Sequence, residues 1–169
     1  MNHMTIQPVL EQLERLYDLH VHLVELADQK KEALIHNRIE ELNGIVNRES
    51  KLVKQVAQAD MERAQRIDEY MKGRGLPVTV GITISQLSKF IFQQEEKQQL
   101  LGCQEKLVQV IAQLKEKNQL NQQLIRQSLS FVNYSLDMLV GAEEDEAVYH
   151  NPAAQQKDSK RKSLFDTRA

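Results

Sequence analysis

Apolar residues recur at three-and-four spacing from Ile6 almost to residue 140, and a few interruptions cut that pattern into helices. Ile6, Val9, Leu10, Leu13, Leu16, Leu23, Leu26 and Leu34 make the first stripe, the signature of one face of an α-helix. Thr5 is placed to cap it. Pro8 falls in the first turn, where a missing amide hydrogen costs nothing. The stripe breaks at "HNRIEEL", where Asn37 can cap a new helix with Glu40 three residues on, as in a capping box. The second stripe is Ile39, Leu42, Val46, Val53, Val56, Ile67 and Tyr70. Glu49, Asp60 and Arg63 fall on or beside it and read as edge residues, with packed stems and solvated heads.

"KGRGLPVTVGIT" is the clearest breaker, with Gly73, Gly75, Pro77 and Gly81 close together. Periodicity resumes near Thr83 or Ser85 through Leu87, Phe90, Ile91, Leu101, Leu107, Ile111 and Leu114. Gly102 is where this third stretch could kink or break, since a helical glycine costs about 1 kcal/mol against alanine. The pattern predicts an all-α fold with helices over 5–35, 38–71 and 83–140 and a loop over 72–82. These form an elongated antiparallel helical hairpin plus a third long helix, in a coiled-coil-like bundle that makes one domain of residues 1–140. Beyond it, "GAEEDEAVYHNPAAQQKDSKRKSLFDTRA" (141–169) has an acidic cluster, then a basic one, and little to bury. That composition predicts a mobile, disordered tail. Leu164 and Phe165 within "LFDTRA" read either as a short docking motif or as a terminal pair without meaning.

Composition agrees. Aromatics are 5% of the 169 residues, tryptophan is absent, and 41% hydrophobic content suits narrow seams between helices better than a thick core. The net charge of −2 comes from interspersed acids and bases, with no basic face of the kind nucleic acid requires. No apolar run approaches the roughly 18 residues of a membrane span, which argues against stable membrane insertion. "MNHMTIQPVL" lacks the features of a signal peptide, and the single Cys103 suits a reducing compartment. A cytoplasmic location is expected.

Catalytic constellations are hard to find. His20 and His22 are two residues apart, so on a helix they point away from each other and cannot share a metal. His20 lies on the first apolar stripe and reads as a packed or edge residue. Cys103 has no histidine or cysteine neighbour in sequence to support a nucleophile. "KGRGLPVTVG" lacks the pattern of a phosphate loop. A non-enzyme without cofactor or metal is expected.

Binding surface remains, and one stretch is unusual. In "NQLNQQLIRQSLSFVNYSLDML" (118–139), threes and fours from Asn118 give Asn121, Ile125, Ser128, Val132, Ser135 and Leu139, so polar or small residues alternate with apolar ones. Asn121, Ser128 and Ser135 form a column spaced by sevens. Leu124, Phe131 and Met138 make a bulky ridge beside it, and Leu129 with Leu136 makes another. Small side chains between ridges form a groove in which a helix can settle closely. Asn118 and Asn121 have a purely structural reading too, as residues that fix register within the protein's own bundle. The double ridge is wider than one antiparallel hairpin can cover, which predicts a partner.

That run, with "EALIHNRIEELNGIVNRESKLVKQV" at the hairpin turn and the "TISQL" restart, resembles the FlgN family of flagellar type III export chaperones. The resemblance covers most of residues 5–140. Its most specific element is Asn118, Asn121, Leu124, Ile125, Ser128 and Leu129. It implies a small all-α cytoplasmic protein that binds the terminal helical segment of hook-associated (hook–filament junction) proteins. Such a protein prevents their premature assembly and delivers them to the cytoplasmic domain of the export gate. It also implies that client recognition lies in the C-terminal helical part, which assigns Asn118, Asn121, Leu124, Ile125, Ser128, Leu129, Phe131, Val132, Ser135, Leu136 and Met138 to the client. Polar groups in the seam would then choose a client's register and keep the contact reversible.

Two rivals use the same residues differently. One is a structural coiled coil that self-associates through this surface. The other is an assembly adaptor tethered to a membrane by "KDSKRK", a cluster offset by the acidic residues upstream.

Overall fold

A computed structural model describes residues 5–141; the tail expected to be mobile therefore lies almost wholly outside the described residues, as do Leu164 and Phe165. The described chain is helical throughout its regular structure, in the order α1 (Gln7–Ile35), α2 (Ile39–Gly73), α3 (Ile84–Ser88) and α4 (Gln94–Val140). It contains no strand among the described residues, so the all-α expectation holds. The chain falls into two compact units that divide between Leu124 and Ile125, inside α4.

In the first unit, α1 and α2 make the close helix–helix approach expected of an antiparallel hairpin. Their connection is tighter than a capping box would give. Asn37 is not the cap of α2: it takes a left-handed conformation (φ 53°), and Arg38 stands at the N-cap position without a side-chain cap bond. The Arg38 amide donates back to Ala33 O at 2.9 Å. That closes α1 in a Schellman motif, with asparagine tolerating the left-handed turn. The same device ends α2, where Gly75 (φ 66°) lets the Leu76 amide reach Met71 O at 3.0 Å. Thr83 caps α3 in a complete capping box with Gln86. α1 starts at an N-cap position held by Ile6, one residue beyond Thr5, with Pro8 in its first turn.

Most of the first stripe is buried as expected, from Ile6 to Leu26. Two clusters hold the hairpin. The larger joins Ile6, Val9, Leu10 and Leu13 to Ile67, Tyr70 and Met71, and both are covered by Ile84, Leu87, Ile91 and Leu100. The smaller, toward the turn, joins Leu26, Ala33 and Ile45.

Two expectations need correction. The break in the third stretch is not at Gly102, which sits inside continuous α4, where a Cβ would meet no described atom within 4 Å beyond its own turn of helix. It lies at Lys89–Gln93, where α3 stops so that both Leu87 and Ile91 can enter the larger cluster. The α2 stripe is also out of phase in its first half. Ile39 is 68% exposed, and Val46 and Val53 are exposed too, whereas Ile45 and Ala59 are fully buried. Ile45 is the residue that meets Leu26 and Ala33 of α1, so the inward face there runs through Ile45 and not Val46.

Candidate protein-binding surface

Within the first unit, the part of α4 before Ile125 meets α1 through polar groups. Asn121 is 3% exposed, and its side-chain amide donates to the backbone carbonyl of Ala27 at 2.8 Å. Its Oδ1 is buried and has no hydrogen-bond partner among the described residues. One turn earlier, Lys117 pairs with Asp28, the residue after Ala27. The structural reading of Asn121 as an internal register residue therefore has its contact. A leucine here would pack, but only a donor can fix α4 against one particular carbonyl of α1. Asn118 is exposed and Leu124 is half-buried.

The second unit carries the remaining residues of the stretch. From Ile125 to Val140 its helix presents large apolar side chains to solvent. Phe131 is 71% exposed and Leu139 83%, and Leu129, Val132, Leu136 and Met138 are also exposed. Ile125 is half-buried, and Arg126 and Asp137 are the charged residues of this segment. Fully burying a side chain of this size is worth about 1.5–3 kcal/mol relative to leaving it in water. Exposed apolar surface of this extent usually marks an interaction site. The serines do not ask for polar partners. Ser135 donates its hydroxyl to Phe131 O at 2.9 Å, within its own helix, so it acts as a small spacer. Ser128 is exposed.

Tyr134, 62% exposed, belongs to the same surface although ridge counting missed it. It stands three residues after Phe131 and four before Met138, so a search by threes as well as sevens finds it.

The first unit also has an apolar groove of about 430 Å³, lined by Leu16, Val53, Val56, Leu107 and Ile111 among others. It explains where the displaced α2 stripe points: Val53 and Val56 face this groove instead of a closed seam. His20 lies at its edge, with Nδ1 2.6 Å from Leu16 O. Glu49 pairs with Lys30, and Asp60 with Arg63, so the charged residues beside the α2 stripe serve ion pairs. The Cys103 thiol is pushed above its ordinary pKa by burial and by Glu14, against the opposing pull of Lys106, which makes it less reactive. Among the described residues no group of three or more His, Cys, Asp or Glu is placed to hold a metal ion. No described helix is long and apolar enough to cross a membrane.

The helical hairpin is the one that the periodicity predicted, and the last turns of α4 expose large apolar side chains. The chain matches the family model described as FlgN protein over residues 1–157. It belongs to the FlgN family. FlgN proteins are flagellar export chaperones, not enzymes, and bind hook-associated proteins. The chain is also similar to the uncharacterized protein YvyG of Bacillus subtilis (strain 168), at 32% identity over 166 residues, which covers 98% of this chain and all of the relative. No solved structure matches it. The FlgN match spans both compact units, so the hairpin and the exposed end of α4 both belong to the family's sequence pattern.

Proposed function

We propose that residues 124–140 hold the terminal helical segment of a hook–filament junction protein in the cytoplasm, keep it from assembling early, and release it at the cytoplasmic domain of the export gate. The observation that carries this reading is the solvent-exposed apolar surface of Ile125–Val140, on a segment with few charges. A client segment that is disordered when alone gains its helix on binding and supplies the complementary apolar face. Ordering it costs about 2–5 kcal/mol or more, so the net affinity rests on a few anchors and stays reversible. Leu129, Phe131, Leu136 and Met138 are those anchors. Val132 lies beside Leu129 and Leu136, and Ser128 and Ser135 are the spacers that let the client approach. Asn121 acts from inside the chain by holding the preceding turns of α4.

The test is calorimetric titration of the whole chain with a purified hook-associated protein from the same bacterium. Changing Leu129, Phe131, Leu136 and Met138 together to alanine should abolish measurable binding, while circular dichroism shows the helix retained, since alanine is the best helix former. Undiminished affinity with an intact helix would place the client elsewhere.

Self-association through the same surface has one observation in its favour. Ile125, Leu129, Val132, Leu136 and Leu139 follow the alternating four-and-three spacing of a coiled-coil seam. Sedimentation of the free chain decides it, because a dimer that persists on dilution would favour the structural reading.

A further inference from the structure

The exposed side chains of Ile125–Val140 do not form one face. At about 100° per residue, Ile125, Leu129, Val132, Leu136 and Leu139 gather on one side of the helix. Phe131, Tyr134 and Met138 gather roughly opposite, around Gln127 at the start of the segment. Ser128 and Ser135 separate the two faces along one flank, and Arg126, Ser130, Asn133 and Asp137 along the other. The first face is aliphatic and regular in spacing. The second is aromatic with one methionine, Met138, a chemistry that adapts to irregular partners.

We propose that one client chain clasps this segment from opposite sides with two helices, one on each face. The inference rests on the function proposed above and specifies its partner: two near-neutral amphipathic helices joined by a connection long enough to pass around α4.

Area and symmetry support two helices. The segment from Ile125 to Val140 is about 24 Å long, and a helix-wide strip of it is about 12 Å across. One face therefore offers on the order of 300 Å², against about 800 Å² per partner in an interface of standard size. A single helix on one face falls well short, and it leaves the other face in water. A second copy of this chain does no better, since a two-fold contact pairs a patch with itself and covers one face only. Two helices of one client roughly double the buried area and connect the two contacts, so the second forms at high effective concentration. The segment's charged residues, Arg126 and Asp137, both lie on the flank between the faces, which suits client helices with apolar inner surfaces.

Two paired variants of the full chain test the arrangement against the intact hook-associated protein by calorimetry. Leu129→Ala with Leu136→Ala strips the aliphatic face, and Phe131→Ala with Met138→Ala strips the aromatic one. Each pair should weaken binding at least tenfold. Synthetic peptides carrying the client's two helices separately should each respond to only one of the pairs. If one pair weakens binding and the other leaves it within twofold, a single helix docks, and the clasp is wrong although the client-binding reading survives. If neither pair matters and the variants stay helical, the client-binding site itself is wrong. If the free chain sediments as a dimer that the aliphatic pair dissociates, a second copy occupies that face and the clasp is again wrong. Should either pair lose helicity, the single changes Leu136→Ala and Phe131→Ala replace it, with threefold weakening as the criterion.

Discussion

The side-chain amide of Asn121 reaches the backbone carbonyl of Ala27 at 2.8 Å, while the other half of the same amide, Oδ1, is buried without a partner among the described residues. The helix interior around Ala27 already uses that carbonyl, so the contact adds a second acceptor role to it. The donor therefore contributes position more than energy.

Asn121→Leu should accordingly leave stability within about 1 kcal/mol of the parent, because losing one hydrogen bond is offset by removing an orphaned acceptor from a site of the same shape. Asn121→Asp sets a carboxylate against the Ala27 oxygen and should cost about 3 kcal/mol or more at neutral pH, the penalty of an unpaired buried charge. Urea unfolding of both variants separates the two effects. A leucine variant that loses several kcal/mol would show that the hydrogen bond itself holds α4 in place.

The inward face of α2 is tested by a pair of truncations. Ile45 is fully buried and Ile39 is 68% exposed. Ile45→Ala should cost about 2–4 kcal/mol, the range for a core isoleucine or leucine cut to alanine. Ile39→Ala should change stability by less than about 0.5 kcal/mol. A larger cost at Ile39 than at Ile45 would mean that the face lies where simple stripe counting put it.

Ion pairs on the hairpin differ in burial and so in worth. Lys30 and Glu49 retain 15% and 24% of their side-chain exposure, whereas Arg66 and Glu69 retain about half. Glu49→Gln should lower the unfolding free energy by about 1–2 kcal/mol, since it leaves a mostly buried ammonium without its charge partner. Glu69→Gln should be almost silent, as exposed pairs are. Thermal melts at low and high salt check both, and a salt-insensitive loss is expected only at Glu49.

Tyr70 is buried, its hydroxyl has no hydrogen-bond partner among the described residues, and the Arg74 guanidinium lies 4.9 Å from its ring centre. Burial raises its pKa above the ordinary 10.0; Arg74 opposes that rise, and Glu96 adds to it. The folded state thus keeps a phenol proton that the unfolded chain gives up near pH 10. The stabilisation is whole below that pH and is lost as pH climbs through the folded value. Tyr70→Phe keeps the ring under Arg74 and removes the stranded hydroxyl. At pH 7 the variant should match or exceed the parent by up to about 1 kcal/mol. Between pH 9 and 11, followed by urea unfolding, it should lose less stability than the parent.

Much of the fold could be read without coordinates. Periodicity over Ile6–Leu26, the breaker at Gly73–Gly81 and the Thr83–Gln86 cap each depend on residues near one another in the chain, and the helices begin and end within a few residues of where those signals put them. The turn at Asn37 misled because asparagine serves two local structures, the N-cap and the left-handed C-terminal turn. The choice between them depends on whether the amide of Arg38 can reach Ala33 O.

The candidate surface divides in the same way. That residues 118–139 mix polar and apolar positions, with ridges at Leu124, Phe131, Met138 and at Leu129, Leu136, is a property of the sequence, because helical spacing alone decides which side chains share a face. Which of those positions the chain uses for itself is not. Asn121 is buried because a carbonyl of α1 lies opposite it, and Phe131 and Leu139 are exposed because no described residue covers them. Likewise Ile45, not Val46, faces inward because Leu26 and Ala33 of α1 stand across from it. Local hydrogen bonding and periodicity act between neighbours in sequence and determined the helices. Burial depends on what stands across the gap, and only the tertiary structure decided that.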